Sequence, residues 1–197
     1  MKKMLRVIQN YPTVAIEDSD QEENMVITIE DQEYIRDFFS ASLTGHPDIM
    51  KEIISISDLG ANIVNASDNR GTSPLHCAAT RGHEDVIEFL LSQPNININP
   101  RDDQGQTALH LAAEKGYLNV IKLLMNAGAQ ASIPNHKGET PVDWLKFWAT
   151  TENKLDIVSE TLDAMEDALM AQNNSTHHDD ALIVGHNNYT NSHYIGD

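Results

Sequence analysis

Residues 71–90 read GTSPLHCAATRGHEDVIEFL, and thirty-four residues further on the chain reads GQTALHLAAEKGYLNVIKLL. The phase persists beyond this pair. Gly71, Gly105 and Gly138 are spaced by 34 and 33 residues, and Leu75, Leu109 and Val142 keep that spacing, as do Asp68, Asp102 and Asn135. A fixed period near 33 confines the chain to a repeat architecture, because a unit this short cannot bury an apolar face alone and must share it with its neighbours.

Each unit carries its own start and stop signals. In SPLH, residues 73–76, a hydroxyl stands at an N-cap and proline follows at the first helical position, where its missing N–H is not needed. TALH at 107–110 and TPVD at 140–143 repeat the signal. Leu75, Ala78 and Ala79, and equally Leu109, Ala112 and Ala113, predict a short helix with small residues on one side, which lets neighbouring helices approach closely. Gly82 and Gly116 then supply the positive φ of a helix C-terminus. A second helix follows, with Val86, Ile87, Phe89, Leu90 and Leu91 in one unit and Val120, Ile121, Leu123, Leu124 and Met125 in the next. The polar linkers NASDNRG, PRDDQG and PNHKG place Asp or Asn three residues before Gly, as a tight turn requires. The expected fold is all-α.

The segments VNASDNRGTSPLHCAATRGHEDVIEFLL and RDDQGQTALHLAAEKGYLNVIKLLMNAGA resemble the ankyrin-repeat family in their Asp-x-x-Gly, Thr-Pro-Leu-His, Ala-Ala, Gly and Val/Ile-rich pattern. The resemblance implies a solenoid of about four helix-turn-helix repeats, at approximately 32–67, 68–101, 102–134 and 135–170, in a domain spanning 25–170. The outer two are degenerate. Upstream, Gly45, His46 and a second helix survive, with extra residues near 55–59, while a first helix at about 32–42 carries Tyr34, Ile35, Phe38 and Phe39 in place of the usual start. Downstream, Asp143 replaces the histidine, and Trp144 and Leu145 stand near the usual small residues. Leu155, Val158, Leu162, Met165 and Leu169, spaced by 3, 4, 3 and 4, form an apolar seam that is expected to cap the open end. A short two-heptad dimerisation seam is the alternative.

Charge lies outside the repeats. The chain of 197 residues has a formal charge of −17, yet residues 69–135 hold five Lys/Arg against six Asp/Glu. The acidity sits in EDSDQEEN at 17–24 and in residues 152–167. Phosphate backbones need clustered cations, and the sole cluster is Lys2, Lys3 and Arg6, so nucleic acid is not an expected partner. The N-terminal apolar run is broken by Arg6, Gln9 and Asn10, and no stretch reaches the roughly 18 apolar residues of a membrane helix. A cytoplasmic location without membrane insertion is expected, so the N-x-S/T triplets beginning at Asn65, Asn174 and Asn188 should carry no glycan. The single cysteine, Cys77, reads as core packing. Residues 1–24 read as a flexible acidic segment, MVITI at 25–29 as a strand or a cover for the first helix, and the Asn/His-rich residues 171–197 as disordered.

Chemistry has little foothold. No G-x-S-x-G, P-loop or H-E-x-x-H arrangement occurs. His76 and His110 recur once per repeat, and the resemblance implies that they bond the capping hydroxyl and the next repeat's loop. In the tail, His177, His178, His186 and His193, with Asp179 and Asp180 among them, have ligand chemistry for zinc, nickel or copper but match no folded site. The expectation is a non-catalytic protein without metal or cofactor.

What remains is a surface. The resemblance implies protein binding through turn tips and the exposed side of the first helices. Carried over by position, the candidates are Asn69, Arg70, Thr72, Thr80 and Arg81 in one repeat, then Asp103, Gln104, Gln106, Glu114 and Lys115 in the next. His136, Lys137 and Glu139 extend the row to Phe147 and Trp148. These two rings are either an exposed anchor or core beneath the final helix. The expected partner is a protein, and the chain is expected to be monomeric, with a dimer through 155–169 as the alternative. Two other roles fit the sequence: an exported microbial effector using the same module, as the Ile- and Asn-rich composition of AT-rich genomes suggests, and metal binding by the His-rich tail.

Overall fold

The structure, a computed structural model, describes residues 29–57 and 59–180, with side chains over 30–57 and 59–171. The acidic segment 1–24, residues 25–28 of the strand or cover expected at 25–29, and residues 181–197 lie outside it, and Ile29 opens the first helix instead of closing a strand.

Eight α-helices and one 3-10 helix make up the described chain, and no strand occurs among the described residues. They are α1 (Ile29–Thr44), α2 (Pro47–Ile56), the 3-10 helix (Gly60–Asn65), α3 (Pro74–Arg81), α4 (Glu84–Leu91), α5 (Ala108–Lys115), α6 (Leu118–Asn126), α7 (Pro141–Thr151) and α8 (Leu155–Asp180). Odd-numbered helices stack in one layer, α1 on α3 on α5 on α7, and even-numbered helices stack in a second, α2 on α4 on α6 on α8. Each inner helix pair thus buries its apolar face against the pair before and the pair after it. Leu75, Ala78, Ala79, Leu109, Ala112 and Ala113 are all sealed in the first layer, and Val86, Ile87, Leu90, Val120, Ile121 and Leu124 in the second.

The ends depart from the two inner repeats. The first helix starts at Ile29 rather than about 32, aided by Glu30 and Asp31 facing the positive end of its dipole. The extra residues expected near 55–59 let the chain close α2 and enter the 3-10 turn before rejoining the repeat. At the far end Leu145 is buried and Lys146 is exposed, where Ala79 and Ala113 are buried, because among the described residues no further helix pair packs on α7 and α8. Lys146 bonds Glu166 of α8 at 2.7 Å instead. The seam of α8 faces α6 and α7: Val158, Leu162 and Met165 are buried and Leu169 packs against the core, while Leu155 at the helix start stays exposed. Helix α8 runs on to Asp180, about ten residues into the stretch read from sequence as disordered tail. Residues 171–180 contain no glycine or proline to stop it.

Candidate functional site

Three devices, each recurring in successive repeats, build the surface. The first is the turn tip. Asp68 Oδ1 accepts from the N–H groups of Arg70 and Thr72 at 2.9 and 2.8 Å, and Asp102 Oδ1 from those of Gln104 and Gln106 at the same distances. Asn135 Oδ1 does the same for Lys137 and Glu139 at 2.9 and 3.0 Å. Adjacent tips are tied by backbone bonds, Asp103 N–H to Arg70 O at 2.7 Å and His136 N–H to Gln104 O at 2.9 Å. The Arg101 guanidinium adds a bond to Pro134 O at 2.8 Å. The side chains between are thereby held in a continuous row.

The second device is histidine. Ser73 N–H donates to His76 Nδ1 at 3.1 Å, so that nitrogen is the acceptor and Nε2–H donates to Gln106 O, 3.0 Å away, across the repeat boundary. Thr107, His110 and Glu139 O repeat the arrangement at 3.1 and 3.1 Å. Burial lowers the pKa of both imidazoles, His76 and His110, below the ordinary 6.5, against the pull of the carbonyl bonds and of Asp102. The neutral form is therefore the folded form. Folded-state pKa values below the unfolded value mean that the unfolded chain binds more protons as pH drops below about 6.5. Stability from these two groups is complete above that pH and is lost as pH falls through the folded values. Urea midpoints at pH 7.5, 6.5 and 5.5 should be steady over the first interval and fall over the second, less so in His110→Gln; an identical profile in that variant would show that other groups set it.

The third device is a ring laid over the left-handed glycine that follows each of α1, α3 and α5. His83 covers Gly45, Tyr117 covers Gly82 and Trp148 covers Gly116. His83 Nε2 also reaches Leu43 O at 3.0 Å, closing the end of α1.

Most of the sequence-derived candidates lie at the surface. Asn69, Arg70, Arg81, Asp103, Gln104, Lys115, His136 and Lys137 are exposed, and Thr72, Thr80, Glu114 and Glu139 are half-buried. Gln106 is the exception at 7% exposure: its N–H is taken by Asp102 and its carbonyl by His76. It forms, with Asp103, Gln104, Asn135, His136, Lys137 and Trp144, the wall of a cleft of about 290 Å³ between two tips. The expectation of two rings sharing one fate fails. Phe147 is 74% exposed, whereas Trp148 is half-buried against Gly116 with the Lys154 ammonium 5.0 Å from its ring.

Sequence reasoning missed Leu43. It lies two residues before Gly45, as Thr80 and Glu114 lie two before Gly82 and Gly116, and is 41% exposed. Leu43, Thr80, Glu114 and Phe147 therefore form one row with an apolar residue at each end. Counting back from the glycines would have found it. Cys77 is partly buried, with burial raising its thiol pKa to about 11, so the reactive thiolate is suppressed. Among the described residues no group of three or more His, Cys, Asp or Glu is placed to hold a metal, and no helix is long and apolar enough to cross a membrane. Of the tail histidines, His177 and His178 fall within the backbone of α8; His186 and His193 lie outside the described residues.

A family model described as ankyrin repeats in three copies matches residues 38–135 and again 96–173, together well over half of the chain. The chain belongs to the ankyrin-repeat family. Ankyrin repeats are in general protein–protein interaction modules and typically non-enzymatic, which agrees with a surface whose polar side chains serve turns and caps. The matched spans leave out α1 up to Asp37 and the last turns of α8, where the ankyrin pattern gives way to the end-specific helices.

Proposed function

We propose that this ankyrin solenoid, in the region 25–170, is a non-catalytic binding module that captures a protein partner along the tips and the exposed side of α3, α5 and α7, acting as a monomer in the cytoplasm. The observation that carries the reading is the row itself. Arg70, Arg81, Lys137 and Phe147 are exposed, and their side chains contribute nothing to the turns and caps that hold the repeats together. Surface arginines and aromatics are the residue types that dominate interface energetics when a partner desolvates them.

The test combines Arg81→Ala, Lys115→Ala and Phe147→Ala in the full chain. Trp148 is left alone because its ring packs on Gly116. Affinity capture should recover a partner with the native chain and lose it by more than about tenfold with the variant, while the melting temperature stays within a degree or two. Equal recovery by both chains would remove the row from the interface.

A further inference from the structure

The turn tips carry charge in a pattern that their own folding does not require. The chain has 13 Lys and Arg against 30 Asp and Glu, so carboxylates to pair with a surface cation are in excess. Of the ten cations whose side chains are described, seven are engaged. Five form ion pairs, Arg101 donates to the carbonyls of Gly105 and Pro134, and the Lys154 ammonium lies over the ring of Trp148. Arg70, Arg81 and Lys137 make no side-chain bond among the described residues, and all three are exposed on the row. Arg81 has a local reason for its place, since it ends α3, where the helix dipole favours a cation. Arg70 and Lys137, in the turns, have none.

These two occupy the same position in their turns. Arg70 follows Asp68 by two residues and Lys137 follows Asn135 by two, each with its N–H held at 2.9 Å by that side chain. Gln104 is the corresponding residue of the turn between them, held by Asp102 at 2.9 Å. Successive tips therefore present cation, neutral amide and cation from a backbone that is already fixed. Helix pairs stack at about 8–10 Å, which puts Arg70 and Lys137 about 18 Å apart. That exceeds the Debye length of about 8 Å at physiological ionic strength, so each cation attracts its own counter-charge separately. Asp103, next to Gln104 and also exposed, interrupts the positive field between them.

We propose that the tips clasp an extended acidic segment of the partner protein, in which two carboxylates about six residues apart bind Arg70 and Lys137 and the residues between are uncharged. The proposal rests on the module reading above and names the chemistry that the module selects. An extended chain rises about 3.1–3.3 Å per residue, so about six residues span the distance between the cations. Six is a multiple of both two and three, and the carboxylates therefore leave the same side of the segment whether its backbone is a strand or polyproline II. The middle of the segment lies over Gln104, whose amide can donate to or accept from a backbone group. Arg70 adds a planar fork that takes a carboxylate by two parallel bonds. A nucleic-acid strand fits less well. Its charges recur at every nucleotide and would fall beside Asp103 as well as beside the two cations.

The test follows fluorescence anisotropy of two labelled peptides with the full chain at about 0.15 M salt. One peptide has two glutamates six residues apart, and the other, of the same composition, has them three apart. The first should bind at least about threefold more tightly, because only it reaches both cations. Moving the second cation inward by one repeat, with Gln104→Lys and Lys137→Gln together, should reverse the preference. Both positions are exposed and lend only backbone groups to the turns. Equal binding of the two peptides by the native chain, no binding of either at about 1 mM, or a preference that the double variant leaves unchanged would overturn the proposal. So would a single-stranded oligonucleotide bound as tightly as the first peptide. If the peptides bind alike while the chain altered at Arg81, Lys115 and Phe147 still loses its partner, the module reading stands and this one falls.

Discussion

Replacing His76 by alanine should lower the unfolding free energy by about 3 kcal/mol, the sum of a small cavity and of buried polar groups left unpaired. The imidazole is fully buried and bonds both its own repeat, through Ser73, and the next, through Gln106 O. Repeat stability is a sum of units and the interfaces between them, so a bond across the boundary weighs on cooperativity as well as on stability. The urea transition should therefore shift to lower denaturant and broaden. Asp143 provides the internal comparison. It occupies the equivalent place in the last described repeat, accepting from Thr140 N–H at 2.8 Å and from Thr140 Oγ1 at 2.7 Å, but its shorter carboxylate makes no onward bond among the described residues. Asp143→Ala should lose only a cap, about 1 kcal/mol. If the two substitutions have equal effects, the link from His76 to Gln106 contributes nothing and the tips are held by their backbone bonds alone.

That contrast also marks how far the sequence could be read. Period, capping residues and glycines were legible because each acts through local chemistry repeated at a fixed spacing, and the helices of the inner repeats lie where SPLH, TALH and the two glycines set them. The ends were less legible, since a terminal helix has no second copy against which to be aligned. Helix α1 begins three residues early, and α8 passes the expected tail boundary by about ten. Exposure within the site was harder still. Gln106 has the polarity of a surface residue, yet the turn around Asp102 consumes its backbone and tucks it inside. Phe147 and Trp148 are neighbours in sequence and differ in environment, because adjacent positions on a helix point about 100° apart. Periodicity fixes which position a ring holds; only the packed neighbour decides whether that position is open.

For Trp148 that neighbour is a glycine. Gly116→Ala should destabilise the chain by about 3 kcal/mol, of which about 1–2 is the left-handed backbone and the rest the forced displacement of the indole. Gly116 has φ +67°, and a Cβ there would run into Cε2, Cζ2 and Cδ2 of Trp148. Moving the ring away would also give up its contact with the Lys154 ammonium, 5.0 Å from the ring centre. Gly138→Ala separates the two contributions: φ is +82° there, and a Cβ would meet nothing within 4 Å, so only the backbone strain remains. Trp148→Ala in the Gly116→Ala background should recover part of the loss, giving a non-additive cycle by urea unfolding. Additivity would mean that the ring does not bear on the glycine. It would return Trp148 to the exposed row, and with it the expectation that this side chain is an anchor for a partner. Non-additivity leaves Phe147 as the aromatic that faces outward, and makes the melting temperature of Trp148→Ala, rather than its partner capture, the property that changes.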